Sequence, residues 1–171
     1  HYHGRGRFQY SRMERGWVQV RARYLSPERI IRAMKAGDFY ASTGLELSRL
    51  VATEKKIEVA VVPRKDEKIV IEFIGTTEDF DSASTERKDQ LGRPVTRRYS
   101  KDVGRVLAKV EGPEATYTLT GRELYVRARI TSSLEAADAA VPGERQRAWT
   151  QPVGWRKRVT GRIAGPWPDP R

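Results

Sequence analysis

Most of the sequence after residue 44 consists of short apolar or alternating segments that turn residues separate. Alternation of apolar and polar residues over such short stretches is typical of half-buried β-strands. The last three segments begin about ten residues apart, which is typical of a β-sandwich. We therefore predict a mainly β (α+β) fold in which a β-sandwich is the larger part. The predicted strands are residues 45–51, 57–62, 69–74, 103–110, 115–120 and 124–131.

A turn and a last strand complete the predicted pattern of this region. Residues 63–67 (PRKDE) are polar and favour a hairpin turn between the second and third predicted strands. Residues 147–153 (RAWTQPV) predict a last strand. We place this strand at a sheet edge, because Pro152 has no N–H to donate to a neighbouring strand.

Residues 76–102 are polar and are interpreted as one long loop. Three of its acids, Glu78, Asp79 and Asp81, lie close enough in sequence to suggest a metal cluster. A solvated run of charges is the more frequent explanation of such a pattern, and we adopt it.

The stretch from Ser26 to Gly44 predicts a helix, a tight stop and a strand. Ser26 can cap the helix with its hydroxyl, and Pro27 suits the first helical position because its missing N–H is not needed there. Gly37 is placed to end the helix in a left-handed conformation. Residues 39–41 then form a short strand that Ser42, Thr43 and Gly44 stop as a turn.

A strand over residues 17–23 precedes this helix, which gives a strand–helix–strand unit. Such a unit favours parallel strands joined by a crossover helix and expects a neighbouring sheet. The helix has an apolar face that needs cover, from the sandwich or from a second chain, so a homodimer is a candidate assembly. That face consists of Ile30, Ile31 and Met34.

Composition limits the classes of protein that the chain can belong to. It has no cysteine, so it has neither a disulfide framework nor a thiolate site. No apolar run is long enough to span a membrane, and we expect no membrane partner and favour the cytoplasm. The chain begins with His rather than Met, so we expect a piece of a longer protein.

The net charge of +11 is concentrated at the two ends of the chain. Residues 1–35 carry +7 and residues 145–171 carry +6, whereas residues 36–144 carry −2. This distribution indicates either arginine-rich surface or a binding site for nucleic acid or another polyanion, such as an anionic polysaccharide. The candidate anion-binding residues are Arg5, Arg7, Arg156, Lys157 and Arg158. The candidate surface aromatic residues are Trp155 and Trp167.

His1 and His3 are the two histidines of the chain. Imidazole is a common ligand of zinc, so a His-x-His pair could supply two metal ligands. Two ligands do not complete a site, and local spacing fixes no third one. A structural or tag-like role is the alternative.

Four segments, taken in order, resemble a known group of proteins. They are GWVQVRA at 16–22, GDFYASTG at 37–44, YVRAR at 125–129 and AWTQP at 148–152. The order is similar to that in metal-dependent hydrolases of the polymerase and histidinol phosphatase (PHP) superfamily, in the branch that includes carbaryl hydrolases. The resemblance covers most of residues 1–155, and FYASTG is its most specific element.

The resemblance implies a distorted βα barrel that holds two or three ions of zinc, manganese or iron. A metal-bound hydroxide would attack a phosphoester, ester or carbamate. The last ligand of that family lies in an Asp-x-His motif, which this sequence lacks. The resemblance therefore implies a non-catalytic C-terminal portion, with no cofactor of its own and no assigned catalytic residue. Its expected parts are a barrel remnant at 1–45, a β-sandwich at 46–155 and a basic, proline-rich tail at 156–171.

Overall fold

A computed structural model describes residues 15–137, 139 and 141–154. Within these residues the chain is mainly β, as predicted, with eleven strands and one helix. The helix is α1 (Pro27–Ala36). The strands are β1 (Trp17–Val20), β2 (Phe39–Ser42), β3 (Leu47–Ala52), β4 (Lys56–Val61), β5 (Ile69–Thr77), β6 (Ser84–Lys88), β7 (Pro94–Tyr99), β8 (Arg105–Glu111), β9 (Glu114–Thr118), β10 (Glu123–Glu135) and β11 (Arg145–Thr150).

The strands form two facing sheets and a separate hairpin. The larger sheet has six antiparallel strands in the order β1-β2-β11-β10-β5-β8, and the smaller one has the order β3-β4-β9. Strands β6 and β7 pair only with each other among the described strands. This is the β-sandwich architecture that the strand spacing predicts.

The two sheets share one hydrophobic core. Strand β4 of the smaller sheet contributes Ile57 and Val59, and β5 of the larger sheet contributes Ile71 and Phe73, all with 0% exposure. The ring of Phe73 lies 5.3 Å from that of Tyr117 on β9, so aromatic packing also joins the sheets. Strands β2, β10 and β11 complete the core from the larger sheet.

The predicted hairpin across residues 63–67 is wrong. Strands β4 and β5 belong to different sheets, and the connection between them crosses from one sheet to the other. Each strand has one fully buried apolar face. Side-by-side pairing would turn both faces to the same side, whereas stacking lets the two faces cover each other.

The prediction of a parallel strand–helix–strand unit is also wrong. Strands β1 and β2 are antiparallel neighbours, with Trp17 opposite Ser42. The helix itself is as predicted, and Gly37 ends it with a φ of 81°. The backbone N–H of Arg21 donates to the carbonyl of Asp38 at 2.8 Å, which holds the two ends of the helical connection together. The chain therefore reverses at Gly37 instead of crossing back to the start of β1.

The β1–α1–β2 unit is joined to the sandwich by main-chain pairing. Strand β2 pairs with β11, and Ala41 lies opposite Trp149. Strand β11 is consequently an interior strand, and its predicted edge position is wrong. Pro152 causes no conflict because it lies beyond the end of β11. The division of the chain at residue 45 stays a prediction.

The predicted long loop contains the β6–β7 hairpin. Its turn is built by Asp89, whose Oδ1 accepts from the backbone N–H of Leu91 at 2.8 Å and of Arg93 at 2.9 Å. Gly92 adopts a φ of 76° in the same turn. Local turn chemistry, rather than an apolar alternation, forms this hairpin, so the strand pattern did not reveal it.

The described residues contain no helix that is both long and apolar enough to cross a membrane.

The sandwich core predicts that alanine substitutions at two nearby valines have very different effects on stability. Val59 has 0% exposure, whereas Val62 has 73%. We expect Val59→Ala to lower the free energy of unfolding by about 2–3 kcal/mol, because the variant loses buried methyl groups and leaves a cavity. Val62→Ala serves as the matched control and should change it by less than about 0.5 kcal/mol. Urea denaturation of the two variants measures both values, and equal losses would contradict the stacking of β4 on β5.

Candidate functional site

One flank of the sandwich is open because the two sheets differ in width. Strand β1 is an edge of the six-stranded sheet and β3 is an edge of the three-stranded sheet. A groove of about 780 Å³ lies between them, lined also by the end of α1 and by residues 151–154. Three strands cannot cover six, and β1 is the strand left open on this flank, since three of its four residues are exposed whereas Tyr40 and Ser42 of β2 are buried.

The wall of this groove is fixed by a hydrogen bond between the two sheets. The hydroxyl of Tyr40 on β2 accepts from the backbone N–H of Leu47 on β3 at 3.0 Å. Burial raises the pKa of Tyr40, and the charge of Glu46 acts in the same direction. The phenol therefore stays neutral and holds β2 and β3 in place on either side of the groove.

The groove carries charges of both signs. Arg21 and Asp38 form an ion pair at 3.6 Å on its rim. Lys35, Glu46 and Glu54 also line it, beside apolar side chains of α1, β2 and β3. A lining of this mixed kind suits the surface of another protein element better than a small, highly charged ligand.

An apolar surface adjoins the groove on β1, α1 and the segment between them. We call it the β1–α1 flank. Its exposed side chains are Trp17 (43%), Val18 (42%), Tyr24 (60%), Leu25 (94%), Ile31 (54%) and Met34 (42%). Ala33 is the one buried residue of α1, so the helix contributes little to the core. The predicted apolar face of the helix thus lacks cover over Ile31 and Met34 from the described residues.

The Ser-Thr-Gly sequence of the FYASTG segment stabilises the turn after β2 and connects it to β11. The Ser42 hydroxyl donates to the carbonyl of Leu45 at 2.5 Å and accepts from the N–H of Gly44 at 3.0 Å. The Thr43 hydroxyl accepts from the N–H of Arg147 on β11 at 2.9 Å. Gly44 has a φ of 140°, and a Cβ there would lie 2.7 Å from the side chain of Gln146. These contacts account for all three residue types without a catalytic role.

The four segments that carry the resemblance become neighbours in the fold. They supply β1, β2, β11 and the middle of β10, which are four consecutive strands of the larger sheet. Trp149 on β11 lies opposite both Ala41 on β2 and Arg129 on β10. The Thr150 hydroxyl accepts from the N–H of Ala128 at 2.9 Å, which adds a side-chain tie between two of these strands.

The site residues that the sequence predicts all lie outside the described residues, so their roles stay predictions. The candidate metal ligands are His1 and His3. The candidate anion-binding residues are Arg5, Arg7, Arg156, Lys157 and Arg158. The candidate surface aromatics are Trp155 and Trp167, and the tail at 156–171 is likewise outside.

The acids at 78–81 are not assembled as a metal cluster. Arg122 pairs with Glu78 at 3.5 Å and with Asp79 at 3.3 Å, at the surface. Across residues 15–137, 139 and 141–154, no three His, Cys, Asp or Glu side chains are grouped so that they could hold a metal ion.

Sequence reasoning missed a buried carboxylate at Glu123, which is 4% exposed. It accepts from the Tyr117 hydroxyl at 2.7 Å, from Thr120 through its N–H and its hydroxyl, and from the N–H of Gly121. Burial alone would raise the pKa of Glu123, but the hydrogen bonds from Tyr117 and Thr120 outweigh it and hold the pKa below its usual value. Burial and then the bond to Glu123 raise the pKa of Tyr117 to about 12. The Thr-x-x-Glu spacing is the signal that could have revealed this network.

Comparison with known proteins finds no relative: no family model, no curated protein and no solved structure matches the chain.

The Glu123 network predicts a defined pH dependence of stability. The pKa of Glu123 is lower in the folded protein than the unfolded value of about 4.3. Its contribution is therefore complete above the unfolded pKa and is lost as the pH falls through the folded pKa. Glu123→Gln should lower the free energy of unfolding by about 1–3 kcal/mol at neutral pH, because an amide cannot accept all four hydrogen bonds.

Denaturant unfolding between about pH 7 and pH 3 tests this expectation. The loss caused by Glu123→Gln should shrink toward the acid end, where the native carboxyl is itself protonated. Glu114→Gln on β9, the preceding strand in the sequence, removes an exposed carboxylate and is the matched control. A loss of the same size at every pH would show that the carboxylate charge is not what stabilises the turn.

Proposed function

We propose that this chain is the non-catalytic C-terminal portion of a PHP-type metal-dependent hydrolase. In this proposal the β1–α1 flank packs against the catalytic portion, which hydrolyses a phosphoester, ester or carbamate. The order of the four resemblance segments supports the assignment. The observation that carries the docking role is that the described residues leave the apolar flank uncovered and the edge of β1 unpaired.

The physical chemistry of the flank favours a protein partner. Exposed apolar side chains next to a strand edge that no described strand pairs with are what natural proteins cover or protect. Fully burying an Ile or Met side chain contributes about 1.5–3 kcal/mol, and Ile31 and Met34 are already about half buried, so each would contribute part of that. Arg29, Arg32 and Lys35 lie on the same helix and favour a partner that also presents carboxylates.

A second copy of this chain is the other candidate partner for the flank. An open antiparallel edge can pair with itself across a twofold axis, so two β1 strands could join the larger sheets of two protomers. A cytoplasmic location stays a prediction within the same proposal.

Metal analysis together with an activity assay tests the non-catalytic assignment. The full chain, purified without chelator, is analysed for zinc, manganese and iron by plasma emission and assayed on a generic phosphodiester, an aryl ester and a carbamate. We expect neither stoichiometric metal nor turnover. Stoichiometric metal with turnover that a chelator abolishes would overturn the assignment and would make His1 and His3 the first residues to test as ligands.

The docking role predicts that the flank contributes little to the stability of the isolated chain. The double variant Ile31→Ala/Met34→Ala should change the free energy of unfolding by less than about 0.5 kcal/mol, because both side chains are exposed and alanine favours the helix. Ile57→Ala, from the fully buried core, is the reference and should cost about 2–5 kcal/mol. A loss in the double variant as large as that of Ile57→Ala would mean that the flank is already covered.

Sedimentation of the unmodified chain separates the two candidate partners. If the catalytic portion is the partner, the chain should stay monomeric between about 1 and 100 µM. A dimer that the Ile31→Ala/Met34→Ala variant dissociates would assign the flank to a second copy instead.

A further inference from the structure

The β6–β7 hairpin stands apart from the core and is strongly basic. Every residue of β7 is exposed, and in β6 Ser84 alone is partly buried. Residues 84–101 contain six Arg or Lys and two Glu or Asp, a net charge of +4. Since no hydrophobic contact requires this composition, the fold itself does not explain it.

Two arginines on one face of the hairpin are free to bind a ligand. In the strand register Arg87 lies opposite Thr96 and Arg98 lies opposite Thr85, so the four side chains share one face. They line a shallow concave surface on the hairpin, to which Glu86 and Arg97 also contribute. Among the described residues, no side chain pairs with the guanidinium of Arg87 or Arg98.

The other two arginines are already engaged, which gives the hairpin its shape. Arg93 pairs with Asp89 at 2.8 Å and closes the turn. Arg97 donates from Nε to the Ser84 hydroxyl at 2.8 Å on the opposite face and ties the two strands together. These contacts stabilise the hairpin, and the face with Arg87 and Arg98 lies on the stabilised hairpin.

We propose that the β6–β7 hairpin is a nucleic-acid-binding arm whose Arg87 and Arg98 contact the phosphates of a double helix. A guanidinium donates two parallel hydrogen bonds to a phosphate, and threonine hydroxyls are common phosphate donors. The major groove is about 12 Å wide and admits a two-stranded β-ribbon. This proposal rests on the hairpin and is independent of the β1–α1 flank.

The chemistry of the face favours a polyanion over a protein or a membrane. This face presents guanidinium and hydroxyl groups, whereas the exposed apolar side chains of the hairpin lie elsewhere: Leu91 in the turn, Val95 at the register shift and Tyr99 on the opposite face. A sulfated polysaccharide offers anions of similar chemistry, and it is an outcome of the test. The DNA double helix is favoured because its major groove admits a two-stranded β-ribbon.

Fluorescence anisotropy with a labelled DNA duplex tests the proposal on the full chain. The unmodified chain should bind a duplex of about 20 base pairs at about 50 mM salt and weaken steeply toward about 200 mM. Arg87→Gln/Arg98→Gln should weaken binding by about tenfold and lower the slope of log Kd against log salt by about 2. All variants keep both basic chain ends, so the difference isolates the hairpin.

The matched control is Lys55→Gln/Lys65→Gln, which removes the same charge from exposed positions outside the hairpin. It should change Kd by less than about twofold. Unchanged thermal midpoints of both variants show that the fold is retained. Equal losses in the two variants, no duplex binding at the lowest salt, or tighter Arg87-dependent binding to a sulfated polysaccharide would each overturn the proposal.

Discussion

The fold depends on the burial of β4 against the larger sheet. Ile57 and Val59 meet Ile71 and Phe73 across the core, and all four are fully buried. This contact stacks the two sheets instead of extending one, and it explains why the chain crosses between the sheets after β4. It also sets the width of the smaller sheet, which stops at β3 and leaves β1 and the neighbouring helix without cover from the described residues.

Two regions carry features that this core does not need, and they differ in chemistry. The β1–α1 flank exposes apolar side chains beside an open strand edge, which suits a protein partner. The β6–β7 hairpin exposes arginines and threonines on a ribbon, which suits phosphates. The hairpin forms a two-stranded sheet of its own, apart from the six-stranded sheet that contains β1.

Structural features that depend on nearby residues could be predicted from the sequence, whereas the choice of partner strands could not. Ser26 and Gly37 define the ends of α1 through contacts within a few residues, and the sequence shows them directly. The antiparallel pairing of β1 with β2 depends on the reversal at Gly37 and on β11 as a neighbour, which is information from distant parts of the chain. The burial of the Glu123 carboxylate was missed, although its donors Tyr117, Thr120 and Gly121 are close in sequence. The open flank could not be predicted, since it follows from the unequal widths of the sheets.

Hydrogen–deuterium exchange of the full chain, read by mass spectrometry, tests the central claim that the described residues leave the flank uncovered. It compares α1 and β1 with β5 and β10 in the same sample. We expect amides of α1 and of the outer edge of β1 to exchange at least about a hundredfold faster than those of β5 and β10, because few buried contacts hold them. Protection of α1 equal to that of β10 would contradict the account, since it would mean that the flank is already covered within the chain or by a second copy.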